Sequence, residues 1–458
     1  MNVDRAITAV SGILGDRLTR SDADRKAHGI SESYFPVTPP DAVAYPETTE
    51  EVSRILAACS EHGCPVVGWG AGTSLEGHAL AVRGGICVDF SRMDKLLSVN
   101  DADMDATVQP GLTREALNRE LRATGLFFPV DPGANASLGG MAATRASGTT
   151  TVRYGTMADN VLGLEVVLAD GRVIRTGTRA RKTAAGYDMT RLFVGSEGTL
   201  GLITELTLRL HGQPEAISAG VCAFDDMGAA VDTVIATIQF GIPVARIEFV
   251  DADTAAAVNA YSGMDFPLKP HLLVEFHGSP QSVADDATRF GELVEEMGGG
   301  PFRWSPKAED RSALWEMRHK AYYAILASRK GARAVVTDIC VPISRLAEAV
   351  EETRADIAAS PIPGPIIGHV GDGNFHAILM VNDEAPGELA AAKALSHRMV
   401  ERALRLGGTA TGEHGVGMGK TDYMEAEHGQ TWAAMGDIKR ALDPTGILNP
   451  GKLVPPSN

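Results

Sequence analysis

A run of small residues is the feature that most constrains what this chain can fold into. Residues 132–156 read PGANASLGGMAATRASGTTTVRYGT, and only Arg145 and Arg153 among them are charged. A stretch so poor in bulky side chains cannot fill a core, and ordering it as a free loop costs conformational entropy. The run therefore predicts backbone that lies against a large, flat ligand.

A second glycine-rich stretch follows the strand-like text CPVVGWG and reads Gly70-Ala71-Gly72-Thr73-Ser74. Its glycines would let backbone N–H groups approach a diphosphate, although the pentapeptide alone fits an ordinary turn equally well. A dinucleotide fingerprint fails because Leu75 occupies the third glycine position. A P-loop at residues 419–421 fails because His414 stands where its first glycine is required. These mismatches disfavour NAD(P) and nucleoside triphosphates.

Length and composition narrow the class of protein. A chain of 458 residues exceeds the size of one hydrophobic core, so we expect two or more domains. The net charge of -16 argues against nucleic-acid binding, and an anionic substrate would need a local cation in its pocket. Five cysteines without a C-x-x-C pair, and a start that does not resemble a signal peptide, predict a reducing, cytoplasmic location.

Turn and cap signals divide the chain into elements. Residues 47–63 predict a helix that Thr48 or Thr49 caps and Gly63 ends. Asp170 and Gly171 predict the turn of a β-hairpin. After about residue 214 helical and strand patterns alternate, which is typical of an α+β domain, so we place a boundary near 214–218.

Two histidines flank a predicted hairpin turn in IIGHVGDGNFHAILMV. If residues 371–374 form the turn, His369 and His376 pair across the strands and share one face, where both can bind one ion. Glu413 offers a suitable third ligand, and two histidines with a carboxylate are typical of a catalytic divalent-metal site. Zinc and manganese both suit these ligands. The alternative is two histidines at a hairpin end and an unrelated surface glutamate.

Several long motifs then occur in the order found in a known family. The texts VVGWGAGTSLEG, DPGANASLGGMAATRASGTTTVRYGT and GYDMTRLFVGSEGTLGLIT resemble the FAD-binding domain of the vanillyl-alcohol-oxidase/PCMH superfamily. HVGDGNFHAILMV, TGEHGVGMGK and LDPTGILNPGK resemble the FAD-linked oxidase C-terminal domain. The resemblance covers roughly residues 38–453. It points to the D-lactate dehydrogenase (cytochrome) and D-2-hydroxyglutarate dehydrogenase group, with the glycolate oxidase flavin subunit nearby.

The resemblance implies an α+β fold in which a two-subdomain, PCMH-type FAD-binding domain precedes an α+β substrate domain. We expect an N-terminal helix and extended arm at 1–37 and the FAD-binding domain at 38–214. The substrate- and metal-binding cap domain then spans 215–425. Residues 426–458 return to pack on the FAD domain.

The resemblance also implies which residues contact FAD. The residues expected to line the pyrophosphate are Gly70, Ala71, Gly72, Thr73, Ser74 and Gly77. Those expected to contact the flavin are Pro132, Gly133, Ser137, Gly139, Gly140, Thr144, Ser147, Gly148 and Tyr154. Gly198 and Ile203 are expected near the adenine end, and Asn449 is expected to reach back to the cofactor from the tail. Relatives with covalent flavin often carry a histidine at the position of Thr73, so its absence predicts non-covalent FAD.

Catalytic roles follow from the same resemblance. Glu413 is expected as the third metal ligand and His414 as the base that removes the hydroxyl proton while C2 passes hydride to flavin N5. A third metal ligand is the alternative role for His414. Arg318 is expected to bind the substrate carboxylate. The dicarboxylate branch carries a lysine shortly before Asp338 and this chain does not, which favours a monocarboxylate, although Arg333 could substitute.

The combined prediction is an FAD-dependent dehydrogenase that oxidises D-lactate or a related small D-2-hydroxy acid with the help of a divalent metal. D-2-hydroxyglutarate dehydrogenase, a glycolate oxidase flavin subunit, a metal-dependent hydrolase and a non-catalytic oxidase subunit are the alternatives. The electron acceptor is expected to be a quinone, cytochrome c or an electron-transfer flavoprotein. No nucleic acid is expected as partner. A homodimer and peripheral contact with the inner membrane stay open.

Overall fold

The computed structural model describes residues 2–180, 182–382 and 384–455. Its helices are α1 (Val3–Leu14), α2 (Asp22–Ala27), α3 (Thr49–His62), α4 (Arg114–Glu120), α5 (Leu138–Thr144), α6 (Thr151–Tyr154), α7 (Met157–Asn160), α8 (Met189–Phe193), α9 (Met227–Gln239), α10 (Ala252–Ser262), α11 (Pro280–Glu296), α12 (Ala308–Ser328), α13 (Leu346–Ala358), α14 (Glu388–Arg405), α15 (Met424–His428) and α16 (Gln430–Leu442).

Its strands are β1 (Leu18–Thr19), β2 (Ala42–Ala44), β3 (Val66–Trp69), β4 (Ile86–Asp89), β5 (Leu96–Asn100), β6 (Asp105–Val108), β7 (Leu126–Phe127), β8 (Val161–Val167), β9 (Val173–Gly177), β10 (Leu202–Arg209), β11 (His211–Gly212), β12 (Ala216–Ala223), β13 (Val244–Val250), β14 (His271–Gly278), β15 (Arg303–Ser305), β16 (Arg333–Val336), β17 (Ile339–Cys340), β18 (Ile366–His369) and β19 (Asn374–Val381).

The chain forms two compact units. The first unit comprises the chain up to Ser147, residues Gly155–Gln213 and the chain from Glu413 onward; the second comprises Gly148–Tyr154 and Pro214–Gly412. The chain thus rejoins the first unit at Glu413, before the predicted boundary at residue 425. Within the first unit, the backbone N–H groups of Val416 and Gly417 donate to the carboxylate of Glu197, which ties this part of the chain to it.

Two sheets build the first unit. One has the order β1-β2-β4-β3, with β4 parallel to both β2 and β3, and the other has the antiparallel order β5-β6-β10-β8-β9. Helices α1 and α3 cover the first sheet, and their apolar residues share one core with it. The tail joins this core because Leu448 bridges Val66 in parallel and is fully buried.

The second unit is a mixed helix and sheet domain. Its sheet follows the order β15-β12-β14-β13-β18-β19-β16, and β17 also pairs with β19. Buried residues of α10 and α12 pack with those of β13, β14, β18 and β19 in one core. Among the described residues, no helix of either unit is long and apolar enough to cross a membrane.

The structure contains the helix cap, the helix end and the hairpin turn predicted from the sequence. The Thr48 hydroxyl accepts from the N–H of Glu51 at the start of α3, and Gly63 ends that helix in the left-handed conformation. The turn between β8 and β9 contains Gly171 at φ 86°, a conformation that favours glycine.

Candidate active site

The hairpin that carries the two histidines differs in register from the prediction. His369 pairs with Asn374, and His376 pairs with Ile367, so the expected direct pairing of the two histidines is wrong. The reason is a 3₁₀ turn at Val370–Asp372 followed by Gly373 at φ 79°, which places Asn374 already in β19. The two-residue shift leaves both histidines on one face as diagonal neighbours, with ring centroids 5.7 Å apart.

Hydrogen bonds orient both imidazoles. Nδ1 of His369 lies 2.7 Å from Oε1 of Glu248, and Nδ1 of His376 lies 2.9 Å from the backbone oxygen of Thr337. An ionised carboxylate and a carbonyl can only accept, so each Nδ1 carries a proton, and in a neutral imidazole the lone pair is then on Nε2. Metal-binding histidines in proteins are held in this way, so the donor set fits a divalent ion.

Glu248 links the histidine pair to the predicted substrate-binding arginine. Its Oε2 accepts from Nε of Arg318 at 2.9 Å and lies 2.8 Å from Nη2 in an ion pair, while Oε1 faces His369. The carboxylate is fully buried. Burial alone would raise the pKa of Glu248, but the charges and hydrogen bonds of His369 and Arg318 outweigh burial and lower it. A charged carboxylate therefore holds the imidazole of His369 and the guanidinium of Arg318 together.

Asp338 organises the chain that leads out of the second unit. It is fully buried and accepts from Nδ2 of Asn374 at 2.8 Å and from the hydroxyl of Thr411 at 2.6 Å. A Cβ on Gly412 would lie 2.1 Å from Nδ2 of Asn374, so the backbone passes that amide at a distance only glycine permits. Glu413 is the next residue along the chain.

The loop from Glu413 to Gly417 belongs to the first unit. The Ser147 hydroxyl donates to Oε2 of Glu413 at 3.0 Å, and Nδ1 of His414 lies 4.0 Å from Oε1 of the buried Glu76. Glu197 accepts from two backbone N–H groups of the loop and lies 3.2 Å from Nε2 of His78. The loop is therefore held by buried carboxylates. The metal-ligand role of Glu413 and the base role of His414 stay predictions.

A cradle for a large cofactor lies in the first unit, where β3 runs into Gly70–Ser74. A Cβ on Gly70 would lie 2.1 Å from the hydroxyl oxygen of Ser137, and one on Gly139 would lie 2.4 Å from Cβ of Pro110. In the described part of the chain, no backbone carbonyl accepts from the N–H groups of residues 71–74. Side-chain-poor backbone whose N–H groups have no backbone partner fits an anionic diphosphate, as FAD requires.

Other predicted FAD contacts lie at separate places. Ser137 caps α5, and Nδ2 of Asn449 donates to the backbone oxygens of Glu197 and His78, which fixes the tail beside the turn that contains Gly198. Ile203 lies in the apolar core between the five-stranded sheet and its helices. Gly148 and Tyr154 belong to the second unit. The remaining members all lie in the first unit: Pro132, Gly133, Gly140, Thr144 and Ser147, and Ala71, Gly72, Thr73 and Gly77. Their contacts with FAD stay predictions.

The sequence analysis missed several buried charged residues that support these sites, above all Glu248, Glu275 and Glu197. Glu248 and Glu275 lie within the apolar strands VARIEFV and HLLVEFHG. A charge inside a strongly apolar strand is costly to bury unless it is paired, so these positions carried a signal. The partners could not be named, because they come from distant parts of the chain.

Comparisons with known proteins agree with this architecture. Residues 40–177 match the model of the FAD binding domain, and residues 213–453 match that of the C-terminal domain of FAD linked oxidases. A probable mitochondrial D-lactate dehydrogenase of Danio rerio is 46% identical over 99% of this chain and 92% of its own. A mitochondrial D-lactate dehydrogenase [cytochrome] of Arabidopsis thaliana is 44% identical over 98% of this chain and 80% of its own.

Solved structures show the same fold at low identity. A 4-ethylphenol oxidase from Gulosibacter chungangensis superposes with a TM-score of 0.79 at 18% identity, covering 99% of this chain and 97% of that one. A p-cresol methylhydroxylase gives a TM-score of 0.77 at 16% identity, covering 98% and 96%.

Fold, glycine-lined cradle and relatives together define a flavoprotein oxidoreductase with a PCMH-type FAD-binding domain and a following α+β domain. More narrowly, the chain belongs to the family of FAD-linked oxidases and is an FAD-linked enzyme.

Proposed function

We propose that this enzyme oxidises D-lactate or a related small D-2-hydroxy acid to the 2-oxo acid, with non-covalent FAD as hydride acceptor and a divalent metal at the histidine pair. The observation that carries the proposal is the buried Arg318–Glu248–His369 array, with His376 on the same face of the sheet. Two relatives with D-lactate dehydrogenase in their names match almost the whole chain.

Arg318 suits the substrate carboxylate. Its guanidinium is fixed by a hydrogen bond and an ion pair with Glu248, and it supplies the local cation that a chain of net charge -16 needs for an anionic substrate. A planar guanidinium can bind a carboxylate through two parallel hydrogen bonds. Orienting the substrate through its carboxylate would present the neighbouring C2 and its hydroxyl in one fixed direction.

His369 and His376 would hold zinc or manganese through Nε2, and Glu413 would be the third ligand. Chain geometry supports this third ligand, because consecutive Cα atoms are about 3.8 Å apart and Gly412 packs against Asn374 in the same hairpin. A bound divalent ion would supply Lewis acidity that lowers the pKa of a substrate hydroxyl.

His414 would then take the hydroxyl proton. It directly follows Glu413, and the loop that carries both is fixed by hydrogen bonds to Glu197. The proton moves from the hydroxyl oxygen to an imidazole nitrogen as C2 gives up its hydrogen with an electron pair.

The electron acceptor is proposed by class from the relatives. The Arabidopsis thaliana and Saccharomyces cerevisiae relatives carry the word cytochrome in their names, which favours a one-electron acceptor of that kind. The same relatives are named mitochondrial, whereas the cytoplasmic location expected from this sequence stays a prediction.

An anaerobic flavin-reduction screen tests the proposal. We expect D-lactate to bleach the flavin absorbance, L-lactate to leave it unchanged, and glycolate and D-2-hydroxyglutarate to act more slowly. Chelation should abolish the bleaching, and added zinc or manganese should restore it. His376→Gln should lose both metal and reduction, whereas His397→Gln, on the exposed surface of α14, should keep both.

Two results would contradict separate parts of the proposal. Unchanged reduction after complete metal removal would refute the metal. No reduction by any D-2-hydroxy acid would refute the substrate class.

A further inference from the structure

Three side chains of the second unit form a hydrogen-bonded row that the proposed reaction does not yet use. The hydroxyl oxygen of Tyr154 lies 2.7 Å from Nδ1 of His277, and Nε2 of His277 lies 2.7 Å from Oε1 of Glu275. His277 and Glu275 alternate along β14, so both face the same side of the sheet. The order hydroxyl, imidazole, carboxylate is the one that activates hydroxyl groups in enzymes.

The hydrogen bonds fix where the protons lie. Burial opposes ionisation of Glu275, but its hydrogen bond from His277 and the charge of Arg246 outweigh burial and lower its pKa. An ionised carboxylate only accepts, so Nε2 of His277 carries a proton. In a neutral imidazole Nδ1 is then bare and accepts from the hydroxyl of Tyr154. Burial raises the pKa of Tyr154, which keeps the phenol protonated at rest.

Neighbouring side chains hold the carboxylate end in place. Oε2 of Glu275 accepts from Nε1 of Trp315 on α12, and Nε of Arg246 on β13 lies 3.6 Å from Oε1. The Arg246 guanidinium stacks 4.9 Å from the centroid of the Trp315 ring. Arg153, whose guanidinium lies 5.7 Å from the centre of the Tyr154 ring, is a further charge beside the row. The row thus runs from Glu275 to the hydroxyl of Tyr154, with which Arg153 also forms a hydrogen bond.

The hydroxyl end belongs to a short segment of the second unit. Tyr154 is the last residue of the segment Gly148–Tyr154 in the second unit, and Gly155 belongs to the first. This segment is part of the small-residue run that predicts contact with a large, flat ligand. The row therefore leads from the sheet interior towards a part of the chain expected to meet the reacting groups.

We propose that Tyr154 accepts a proton during the catalytic cycle while its own phenolic proton passes to Nδ1 of His277. The charge of the resulting imidazolium is offset by Glu275, and the proton reaches solvent before the next cycle. Tyr154 would be a catalytic residue, and His277 and Glu275 would be positioning residues. The inference rests on the proposed oxidation of a 2-hydroxy acid.

The proposed reaction gives the proton of the substrate hydroxyl to His414, so the proton that Tyr154 accepts has another source. That source would be the N–H of the reduced flavin, which loses its proton as two electrons pass, one at a time, to a one-electron acceptor. Stopped-flow measurement of the two half-reactions tests this source, because the flavin proton leaves only in the oxidative half-reaction.

The first test needs no flavin. In the flavin-free protein, ¹⁵N-labelled histidine should show His277 with a protonated Nε2 and a bare Nδ1, and His277→Gln assigns the signal. His271 on the same strand is an internal control of opposite kind, because its Nδ1 faces the backbone oxygen of Lys269. A protonated Nδ1 on neutral His277 would overturn the proton order on which the proposal depends.

The second test uses the enzyme with FAD bound. We expect Tyr154→Phe and His277→Gln to slow the oxidative half-reaction at least about tenfold, the lower end of general acid–base effects, and to remove its solvent deuterium isotope effect. Added imidazole should partly restore the rate of His277→Ala, which a purely structural role would not produce. His271→Gln and Tyr45→Phe, both outside the row, should keep wild-type rates.

The outcomes separate this inference from the proposed function. Loss confined to the oxidative half-reaction supports the relay, and loss confined to the reductive half-reaction would overturn the flavin as the source of its proton. Wild-type rates and isotope effects in both halves of Tyr154→Phe would overturn the relay. If no D-2-hydroxy acid reduces the wild-type flavin, the proposed function fails instead, and the tautomer of His277 still tests the row.

Discussion

Replacing Glu248 by glutamine tests how far one buried carboxylate supports both the metal and the substrate site. Glu248 is fully buried, accepts hydrogen bonds from Nε of Arg318 and Nδ1 of His369, and forms an ion pair with Arg318. Hydrogen bonds to a charged group contribute about 1.5–3 kcal/mol each, and breaking a buried ion pair costs about 3–5 kcal/mol. Glutamine keeps the shape and one acceptor oxygen, so we expect Glu248→Gln to lose about 2–3 kcal/mol of unfolding free energy.

The same substitution should act on function in two measurable ways. Loss of a carboxylate behind a metal-binding histidine typically lowers metal affinity about 10–100-fold, so the variant should release metal at lower chelator concentration. Arg318 should lose its fixed orientation, since its side chain is only 11% exposed and Glu248 is the carboxylate that holds it. We therefore expect KM for the 2-hydroxy acid to rise more than kcat falls in metal-saturated enzyme.

Urea unfolding of the metal-free protein and chelator competition measure the two effects separately. Glu316→Gln is the matched control, because this glutamate lies on the same helix as Arg318 but pairs with Lys320 at the surface. It should leave both stability and metal affinity at their wild-type values, because exposed ion pairs contribute little. Wild-type stability together with wild-type metal retention in Glu248→Gln would refute the role assigned to this carboxylate.

Two further predictions concern the first unit. Burial lowers the pKa of Lys452 to about 7, so above that pH the folded protein binds fewer protons than the unfolded chain. Through this group, the free energy of unfolding should rise by about 1.4 kcal/mol per pH unit from pH 7 to 9. Lys452→Met should remove that part of the slope in urea titrations at both pH values, and an unchanged slope would contradict the prediction. Gly70→Ala should lose FAD and about 1–3 kcal/mol of stability, because its Cβ would lie 2.1 Å from the Ser137 oxygen. Gly12→Ala is the control, because there is open space around Gly12 in α1, and it should retain FAD and stability in fluorescence and unfolding assays.

The sequence by itself determined the local structure and the chemical class. Thr48 and Gly63 bound α3 because cap chemistry acts within a few residues. The small-residue run and the glycines after β3 predicted a cofactor cradle, since missing side chains are visible in the sequence itself. Family membership followed from long motifs in a fixed order, and the comparisons confirmed it.

Only the tertiary structure decided which residues support each site. The register of the histidine hairpin depended on one 3₁₀ turn, which a pattern of alternating residues cannot distinguish from a four-residue turn. Glu248 meets Arg318 and His369 across 70 and 121 residues of chain, and His277 meets Tyr154 across 123. Such pairings depend on how strands and helices pack, so no spacing in the sequence encodes them.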